Sequence, residues 1–552
     1  MPPNAEAEIQ DWPPGTVLLD AERTSGKDII LQPQPTNDPN DPLNWDLWRK
    51  YLNFALTCLY VILTTEFLCA ATPTWGPMHE QLGFSWAVLN NSYALGCGFL
   101  GIGAVILTPP ALKFGRRPLY ILSTMVIFAV SIWSAKMQKA VDLMLVNAFS
   151  CFSGALSEVM IQMTIADVFF VHERGMVNSI FIWTAQIGAS LGALVAGFIT
   201  VSQGWRWVWW WNVILFGVCV LLFLFLYEET KYIPLPVCLD GITTSVTDSE
   251  EDTRPDTKKT KEQDKMKDVG TASLATEITE QGKQNALVTN TSARIDPSIP
   301  RKSYLQRLSL LTISPGGWKM FLLHSWQPFV ILATLPGVLF GALAYGVLVA
   351  LQNTLSTTMS SRMTLDPYNF SADQIGLMSL APFIGVSIAS MIVGGLSDRW
   401  ILYLAHRNRG IYEPETRLWM MIPFIPFVLA GALIFGFGIE RGLSWPVIAI
   451  GMGLCQFGGA CINIVVLIYI TDSYTEIVGD ALVGVTFIRN AVSTAFIFAL
   501  DPWFKAIGIR NVVISMAVIS VFVLSFAAVF LRWGKQLRAH GASRYRRYAL
   551  LN

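Results

Sequence analysis

Charged residues are scarce in this sequence. Asp, Glu, Lys and Arg make up only 14% of its 552 residues, and their charges cancel, whereas soluble domains carry about 25% charged residues. No basic patch interleaved with aromatic residues is present, which argues against nucleic acid as a partner. Hydrophobic residues make up 53% of the chain. A chain this long and this apolar predicts an integral membrane protein, with the lipid bilayer as its solvent.

Signals of other functions are also missing. There is no G-x-x-x-x-G-K-[ST] phosphate loop, which argues against ATP-driven pumping by this chain alone. No C-x-x-C pair occurs and seven of the eight cysteines lie in apolar segments, so we expect no metal, disulfide or cofactor. The N-terminus lacks the basic start and apolar centre of a secretory signal peptide, so the first membrane helix is expected to direct insertion.

Apolar stretches of about 20 residues, the length that spans a bilayer, alternate with short polar loops. They predict an all-α membrane protein with 12 transmembrane helices in two six-helix bundles. The predicted helices lie near residues 51–72, 86–110, 118–135, 141–168, 175–200, 206–227, 326–351, 373–396, 417–438, 444–470, 481–501 and 511–532.

A polar region separates the two sets of helices. Residues 228–325 begin with a stretch rich in Ser, Thr, Asp, Glu, Lys and Gln, and they predict a cytoplasmic linker that is largely disordered. Within this region, SYLQRLSLLTI (303–313) has leucines at helical spacing beside basic residues, so we expect it to lie along the membrane surface. The remaining regions are an N-terminal cytoplasmic tail (1–50), two bundles (51–227 and 326–532) and a basic cytoplasmic tail (533–552).

The Lys and Arg residues near the helix ends predict the orientation, because such residues favour the cytoplasmic side. They gather in alternate loops and in the C-terminal tail, with Lys136 and Lys139 as exceptions. Both termini and the linker are therefore expected in the cytoplasm. The plasma membrane is the expected location, since no retention or vacuolar signal is evident. The residues that set this orientation include Arg49, Lys50, Lys113, Arg116, Arg117, Arg399, Arg407 and Arg409.

Two N-x-[ST] sequons fall outside the predicted helices. Asn369 begins one in the outer loop between helices 7 and 8, and we expect it to be a glycosylation site. Asn290 begins the other in the cytoplasmic linker, where glycosylation is not expected.

One loop motif occurs at equivalent places in the two sets of helices. LKFGRRPLY (112–120) follows helix 2, and GGLSDRW (394–400) follows helix 8, as a duplicated six-helix unit predicts. Both resemble the loop signature of the major facilitator superfamily, in which glycine permits close helix contact and charged residues latch neighbouring helices on the cytoplasmic side. The first copy has Leu112 where the family usually has an acid. The resemblance implies a cytoplasmic gate that includes Gly115, Arg116, Arg117, Gly394, Asp398 and Arg399.

Further stretches look like the fungal branch of that superfamily usually grouped with drug:proton antiporters and polyamine transporters. They include DPNDPLNWDLWRKY (38–51), IADVFFVHERG (165–175), GWRWVWWWN (204–212) and FIRNAVSTAFIFALDPW (487–503). Two positions depart from the family pattern. Ser150 stands where members often have an arginine implicated in proton transfer, and helix 5 lacks the proline of the antiporter motif.

Acids within predicted membrane helices need a reason, because each costs roughly 2.5 to 3.5 kcal/mol on insertion scales. Glu66 in helix 1 and Glu158 in helix 4 are the two clearest such acids. Each of them either binds a cation or a proton, or is a protonated residue that packs against another helix. Gln162 lies one turn after Glu158 on the same face. Asp167, beside Arg174 at the cytoplasmic end of helix 4, favours a salt bridge or gate.

A cation lies in predicted helix 11. Arg489, followed by Asn490, is expected to pair with an acid such as Asp472 or Asp480, or else to hold an anionic substrate. Polar and aromatic residues at mid-span either line a cavity for an amphipathic molecule or pack between helices. They are Asn91, Tyr93, Trp183, Gln186, Tyr345 and Asn463.

These features predict a monomeric secondary active transporter that moves a small organic solute by alternating access. The resemblance favours proton-coupled efflux of a drug-like molecule or secondary metabolite. Proton-coupled uptake of an organic cation such as a polyamine is the close alternative, encouraged by the two acids. A membrane transferase is disfavoured, because all five histidines fall in predicted loops or near helix ends, and a non-transporting sensor stays as a third class.

Overall fold

The computed structural model describes residues 13–18, 36–232, 300–312, 318–407 and 411–549. Within these ranges 11 continuous helical stretches are long and apolar enough to cross a membrane. The last of them, Thr475–Ala549, contains two crossings that are separated at Gly508, where φ is 79°. The predicted class, an all-α membrane protein, is confirmed.

The first six crossings are named α1 to α6. Glycines with positive φ make two of their connections, since Gly83 (φ 68°) ends α1 and Gly115 (φ 105°) ends α2. This region of backbone space favours glycine because it has no Cβ. The bounds are α1, Leu47–Cys69 with Ala71–Leu82; α2, Trp86–Phe114; α3, Arg117–Lys136; α4, Ala140–Gly154 with Leu156–Val168; α5, Val171–Ser202; and α6, Trp205–Phe225.

The second six crossings are named α7 to α12. A 3-10 helix, Pro414–Phe424, leads into α9, and the helix Ala527–Ala549 continues α12 beyond Phe526. The bounds are α7, Pro336–Arg362; α8, Ala372–Met378 with Leu380–Arg407; α9, Ile425–Glu440; α10, Trp445–Ser473; and α11 with α12, Val478–Ser525 divided at Gly508.

The predicted position of helix 7, near 326–351, is wrong by about ten residues. Leu335 is extended, and Pro336 begins α7, because proline is favoured in the first turn of a helix. The apolar residues before this break belong to a separate helix, Trp318–Thr334, which we call the bridging helix. It packs against both α2 and α11 and therefore touches both halves of the chain.

Two large clusters of buried apolar side chains hold the molecule together, and each comes almost wholly from one half. The halves meet where glycines let helices approach closely. A Cβ at Gly101 in α2 would lie 3.1 Å from Cβ of Asn490 in α11, and one at Gly376 in α8 would lie 3.0 Å from the carbonyl oxygen of Ala193 in α5.

Both described ends of the chain and the ends of the linker lie on one face, which we call the terminal face. Tyr232 donates to Asp38 at 3.0 Å, Asn40 donates to the carbonyl of Pro300 at 3.2 Å, and Arg49 pairs with Glu228. The connections at residues 83–85, 137–139, 203–204, 363–371 and 441–444 lie on the opposite face.

A short strand at the N-terminus packs on the second half of the chain. Val17–Leu18 pairs antiparallel with Ile411–Tyr412, which lies between α8 and α9. Arg538 donates to the carbonyl of Pro14 and, at 3.3 Å, to the hydroxyl of Thr16. The N-terminal segment therefore packs on the second half of the chain, although it precedes the first half in the sequence.

The segment 303–313 was predicted to lie along the membrane surface, and its described part, 303–312, is only partly helical. Its helix is the single turn Tyr304–Arg307, capped by Ser303 and Gln306. Tyr304, Leu310 and Leu311 are more than half exposed, at 55%, 54% and 57%.

Candidate functional site

An ion pair joins the two halves inside the membrane-spanning region. Arg489 of α11 donates through Nη2 to Oε2 of Glu158 in α4. Glu158 lies three residues after Ala155, where the regular hydrogen bonding of α4 is interrupted although the backbone stays helical (φ −55°, ψ −27°). The Glu158 side chain is 26% exposed and that of Arg489 is 11% exposed. The pairing offsets the cost of two charges at membrane depth.

Tyr345 of α7 completes the surroundings of this pair. Its hydroxyl accepts a hydrogen bond of 3.3 Å from Nη1 of Arg489, and its ring centroid lies 5.1 Å from the guanidinium carbon. A cation at this distance from an aromatic face is attracted to the ring. Asn490 accepts from Arg489 at 3.4 Å. The predicted residues Glu158, Tyr345, Arg489 and Asn490 therefore form one cluster.

The expectation that Arg489 pairs with Asp472 or Asp480 is wrong. Asp472 lies 2.7 Å from Nε of Arg417, and Asp480 lies 3.6 Å from Nδ1 of His324 in the bridging helix. Neighbours in sequence were the natural candidates, but Asp480 is nine residues before Arg489 and thus on the opposite side of α11.

A second set of polar contacts continues the cluster along α7 and α11. Asn353 of α7 donates to Ser493 of α11 at 2.8 Å, and Tyr93 of α2 donates to Asn353 at 3.4 Å. Ser493 follows Arg489 by one helical turn, so the two contacts share a face of α11. Tyr93 was predicted, whereas Asn353 and Ser493 were missed, because a lone amide or hydroxyl in an apolar run has no pattern of its own.

Two other predicted residues lie along one face of α5. Trp183 is 46% exposed, and Gln186 donates to Ser190 at 2.8 Å. At 100° per residue these positions share a face with Gly197, where a Cβ would overlap Ala372 of α8. The stripe therefore extends from the contact with α8 at the opposite face towards the terminal face.

Glu66 lies apart from the central cluster, inside the first bundle. Asn212 of α6 donates to its Oε1 at 3.2 Å, while its Oε2 is buried without a hydrogen bond from any residue that the structure describes. Gly192 of α5 packs directly on it, since a Cβ there would lie 2.8 Å from Cβ of Glu66. The structure thus separates the two predicted acids.

The remaining predicted residues are less connected. Asn463 of α10 is 9% exposed, and its Oδ1 has no hydrogen-bond partner among the described residues. Asn91 and Gln162 are half-buried in α2 and α4. The central cluster consequently rests on fewer residues than the sequence suggested.

The whole chain resembles known transporters. An uncharacterised MFS-type transporter of Schizosaccharomyces pombe is 31% identical over 98% of this chain and 94% of its own length. The model of the Major Facilitator Superfamily matches residues 99–361. The chain belongs to the major facilitator superfamily. It is therefore a transporter of small solutes and not an enzyme, as the sequence predicted.

Other superfamily members extend this result. The efflux pump radE of Floropilus chiversii is 23% identical over 95% of this chain and 88% of its own length. The proton:xylose symporter XylE superposes with a TM-score of 0.55 at 12% identity, covering 88% of this chain and 97% of that chain. The latter likeness supports the fold alone.

The first copy of the superfamily loop motif makes the connection between α2 and α3. Gly115 turns the chain, and the backbone amides of Arg116 and Arg117 donate to Glu229 at 2.9 and 3.0 Å. A Cβ at Gly115 would overlap the Glu229 carboxylate. Only glycine allows this contact. Glu229 was not predicted from the sequence, because it follows α6 and lies far from the motif along the chain.

Asp167 joins the same network from the end of α4. Its carboxylate lies 3.1 Å from Nε of Arg116, so Asp167 forms a salt bridge with an arginine of the motif. Asp167 and Glu229 together supply the negative charge that an acid at the position of Leu112 would otherwise provide. Lys231 donates to the carbonyl of Lys113 at 3.1 Å and to that of Thr312 at 3.3 Å.

The second copy of the motif is not a loop. Gly394, Asp398 and Arg399 lie within the helix Leu380–Arg407, because α8 continues about ten residues further than predicted. Their side chains, and that of Arg174 in α5, lie outside the described part of the structure. Their assignment to a gate stays a prediction.

Proposed function

We propose that this superfamily member couples protons to the movement of a small organic cation, and that Glu158 binds Arg489, a proton or the substrate in turn. The observation that carries this proposal is the Glu158–Arg489 pair, which joins the two bundles while leaving Glu158 partly accessible. A carboxylate that holds a guanidinium also binds an ammonium group, because both are cations that donate hydrogen bonds.

Exchange at Glu158 links binding to movement of the bundles. While Arg489 holds Glu158, α4 and α11 are tied together at the centre. A proton or a substrate cation that takes the place of Arg489 removes this tie, so the bundles are free to rock around the site. Tyr345, and Tyr93 beyond Asn353, offer aromatic faces and hydroxyls to an organic cation that enters.

Glu66 is proposed as a second proton carrier. A buried ionised carboxylate with one unpaired oxygen is costly, and protonation removes that cost. Glu66 of α1 packs on Gly192 of α5 and accepts a hydrogen bond from Asn212 of α6. A change in its charge therefore alters the contacts among these three helices.

The terminal face is proposed to be cytoplasmic, since Lys and Arg concentrate in its loops. This orientation places both termini and the linker in the cytoplasm. We further propose a monomer in the plasma membrane, and glycosylation at Asn369.

Uptake is proposed as the direction, because an inward proton gradient and a negative interior both drive a cation inward through an acidic site. Export of a drug-like molecule or secondary metabolite is the second candidate. Two observations favour export. The Floropilus chiversii relative is named an efflux pump, and the sequence motifs resemble those of drug:proton antiporters.

Purified protein in proteoliposomes, with labelled spermidine as the probe cation, tests these proposals. Acidifying the outer solution is expected to accumulate label inside, and Glu158→Gln is expected to abolish this accumulation. Glu80→Gln changes an exposed acid at the opposite face and is the matched control. Accumulation driven only by an acidic interior would support export, and accumulation that survives Glu158→Gln would refute the assigned site.

A further inference from the structure

A cleft on the terminal face is surrounded by arginines. It lies between the start of α1 and the segment 300–312 near the end of the linker, and it has a volume of about 50 Å³, several times the space that one buried water requires. A compact anionic group therefore fits. Six of the residues that line this basic cleft are Asn40, Asn44, Trp45, Arg49, Arg301 and Arg307.

The positive charge of the basic cleft is only partly balanced. Arg49 is paired with Glu228 and stacks on Trp45 at 3.9 Å. Among the described residues, neither Arg301 nor Arg307 has a carboxylate within ion-pair distance. Asp46 is the one acid among the residues that line the cleft. Two cations held near a third repel one another unless an anion enters.

The cleft is built and not merely a mobile surface. The amide of Lys302 donates to Oδ1 of Asn40 at 2.9 Å, while Asn40 donates to the carbonyl of Pro300 at 3.2 Å. Nε of Arg307 donates to the carbonyl of Lys302 at 2.8 Å. These bonds hold the backbone on both sides of Arg301 against Asn40, and the Arg307 side chain against Lys302, so less order has to be gained when an anion binds.

The segment is held at the level of the membrane surface. Tyr304 donates to the carbonyl of Phe225, the last residue of α6, and the amide of Thr312 donates to the carbonyl of Phe114 at 3.0 Å. Both carbonyls belong to the ends of membrane-spanning helices. The cleft therefore lies where lipid headgroups meet the acyl chains.

Both segments that form the basic cleft also carry exposed apolar side chains. Leu47 and Trp48 at the start of α1 are 65% and 78% exposed, and Leu310 and Leu311 are 54% and 57% exposed. Aromatic and aliphatic side chains at this depth contact the upper part of the acyl chains. A free phosphate ion would use the arginines but not these side chains.

We propose that the basic cleft binds the phosphate headgroup of an anionic phospholipid in the adjoining leaflet. Arg301 and Arg307 hold the phosphate, and the exposed leucines and Trp48 contact the lipid tail. The inference uses the position of the cleft at the membrane surface and does not depend on the transported solute.

Native mass spectrometry of the full chain, titrated with phosphatidylserine, tests this proposal. The double variant Arg301→Gln/Arg307→Gln is expected to bind the lipid about 30-fold more weakly, since each cation near an anionic headgroup contributes about a factor of five. Arg441→Gln, at an exposed arginine on the opposite face, is expected to bind as the parent does. Phosphatidylcholine is expected to show no difference between the parent and the double variant.

Two results would overturn the proposal. One is equal binding of phosphatidylserine by the parent and the double variant. The other is displacement of the lipid by inorganic phosphate at an equal concentration, which would identify a site for the free ion. If the glutamine variant does not fold, Arg301→Lys/Arg307→Lys keeps the charge but loses the paired donors of each guanidinium. It is expected to retain intermediate affinity, and unchanged affinity would again contradict the assignment.

Discussion

Glu158 and Arg489 are 331 residues apart in the sequence and meet through a hydrogen bond between opposite bundles. Arg489 has more hydrogen-bond partners than Glu158, because it also donates to Tyr345 and Asn490, at 3.3 and 3.4 Å. Loss of Glu158 therefore leaves Arg489 with two neutral acceptors, whereas loss of Arg489 leaves Glu158 without its cation.

This asymmetry yields the first prediction. Arg489→Gln is expected to lower the free energy of unfolding by about 2 kcal/mol, because it leaves a charged group unsatisfied. The double variant Glu158→Gln/Arg489→Gln is expected to regain most of that loss while remaining inactive in transport. Thermal unfolding in detergent and vesicle uptake measure the two effects. A double variant less stable than Arg489→Gln would show that the two residues are not coupled.

A buried ion pair on the terminal face gives the second prediction. Arg538 donates to both carboxylate oxygens of Glu415, at 2.7 and 2.6 Å, and the two side chains are 1% and 8% exposed. Arg538→Met is expected to cost about 3 to 5 kcal/mol, since Glu415 is left charged and buried. Lys535→Met removes the neighbouring exposed pair with Glu413 and is expected to cost below about 1 kcal/mol. Equal losses in chemical denaturation would contradict this ranking.

The third prediction concerns the contact of α1 with α5. A Cβ at Gly188 would overlap the hydroxyl of Thr65 and the carbonyl of Ile62. Gly188→Ala is therefore expected to destabilise the protein by about 1 to 3 kcal/mol. Gly479→Ala, where a Cβ meets nothing within 4 Å, is expected to be neutral or stabilising by up to about 1 kcal/mol. Melting temperatures in one detergent give the comparison.

The fourth prediction is a pH dependence on the terminal face. Burial and the neighbouring Arg116 lower the pKa of Lys231 to about 8, from 10.5 in the unfolded chain. Between these values the unfolded state binds more protons at this residue, so Lys231 contributes a rise in the free energy of unfolding with pH from about 8 to 10.5. Lys231→Met is expected to lack this rise, while Lys302→Met, at an exposed lysine, keeps it. Thermal unfolding across that range provides the measurement.

The fifth prediction tests the orientation. Asn369 is exposed on the opposite face in a turn with φ of 49°, so it is accessible to a glycosyltransferase if that face is extracytoplasmic. Expression in a fungal host is expected to give a glycosidase-sensitive band that Asn369→Gln abolishes. Asn290→Gln is expected to change nothing. A glycan at Asn290 would instead place the linker outside the cytoplasm.

The fold was largely predictable because long apolar runs dominate this sequence. The exceptions lie at residues whose effect depends on the backbone. The residues near 326–351 were predicted as one helix, yet Leu335 and Pro336 divide them between the bridging helix and α7. At Gly394 the motif suggested a loop, but nothing near it stops the helix before Arg407.

The candidate site was predictable in its members more than in its pairings. Glu158, Tyr345 and Arg489 each stand out as polar residues in apolar segments, so composition finds them. Their contact requires two bundles to face each other at one depth, which spacing along the chain does not encode. Glu229 and Asn353 were missed for the same reason, since each acts on a residue more than a hundred positions away.

The N-terminal strand at Val17–Leu18 precedes the first bundle but completes a two-stranded sheet with Ile411–Tyr412 of the second. The 17 residues that join it to residue 36, numbered 19–35, reach at most about 60 Å when extended. The two bundles are thus connected in two ways, covalently by the linker and non-covalently by this strand pairing. A protease cut in the linker is consequently expected to leave two fragments that stay associated. The N-terminal fragment carries the strand Val17–Leu18, which pairs with Ile411–Tyr412 of the C-terminal fragment.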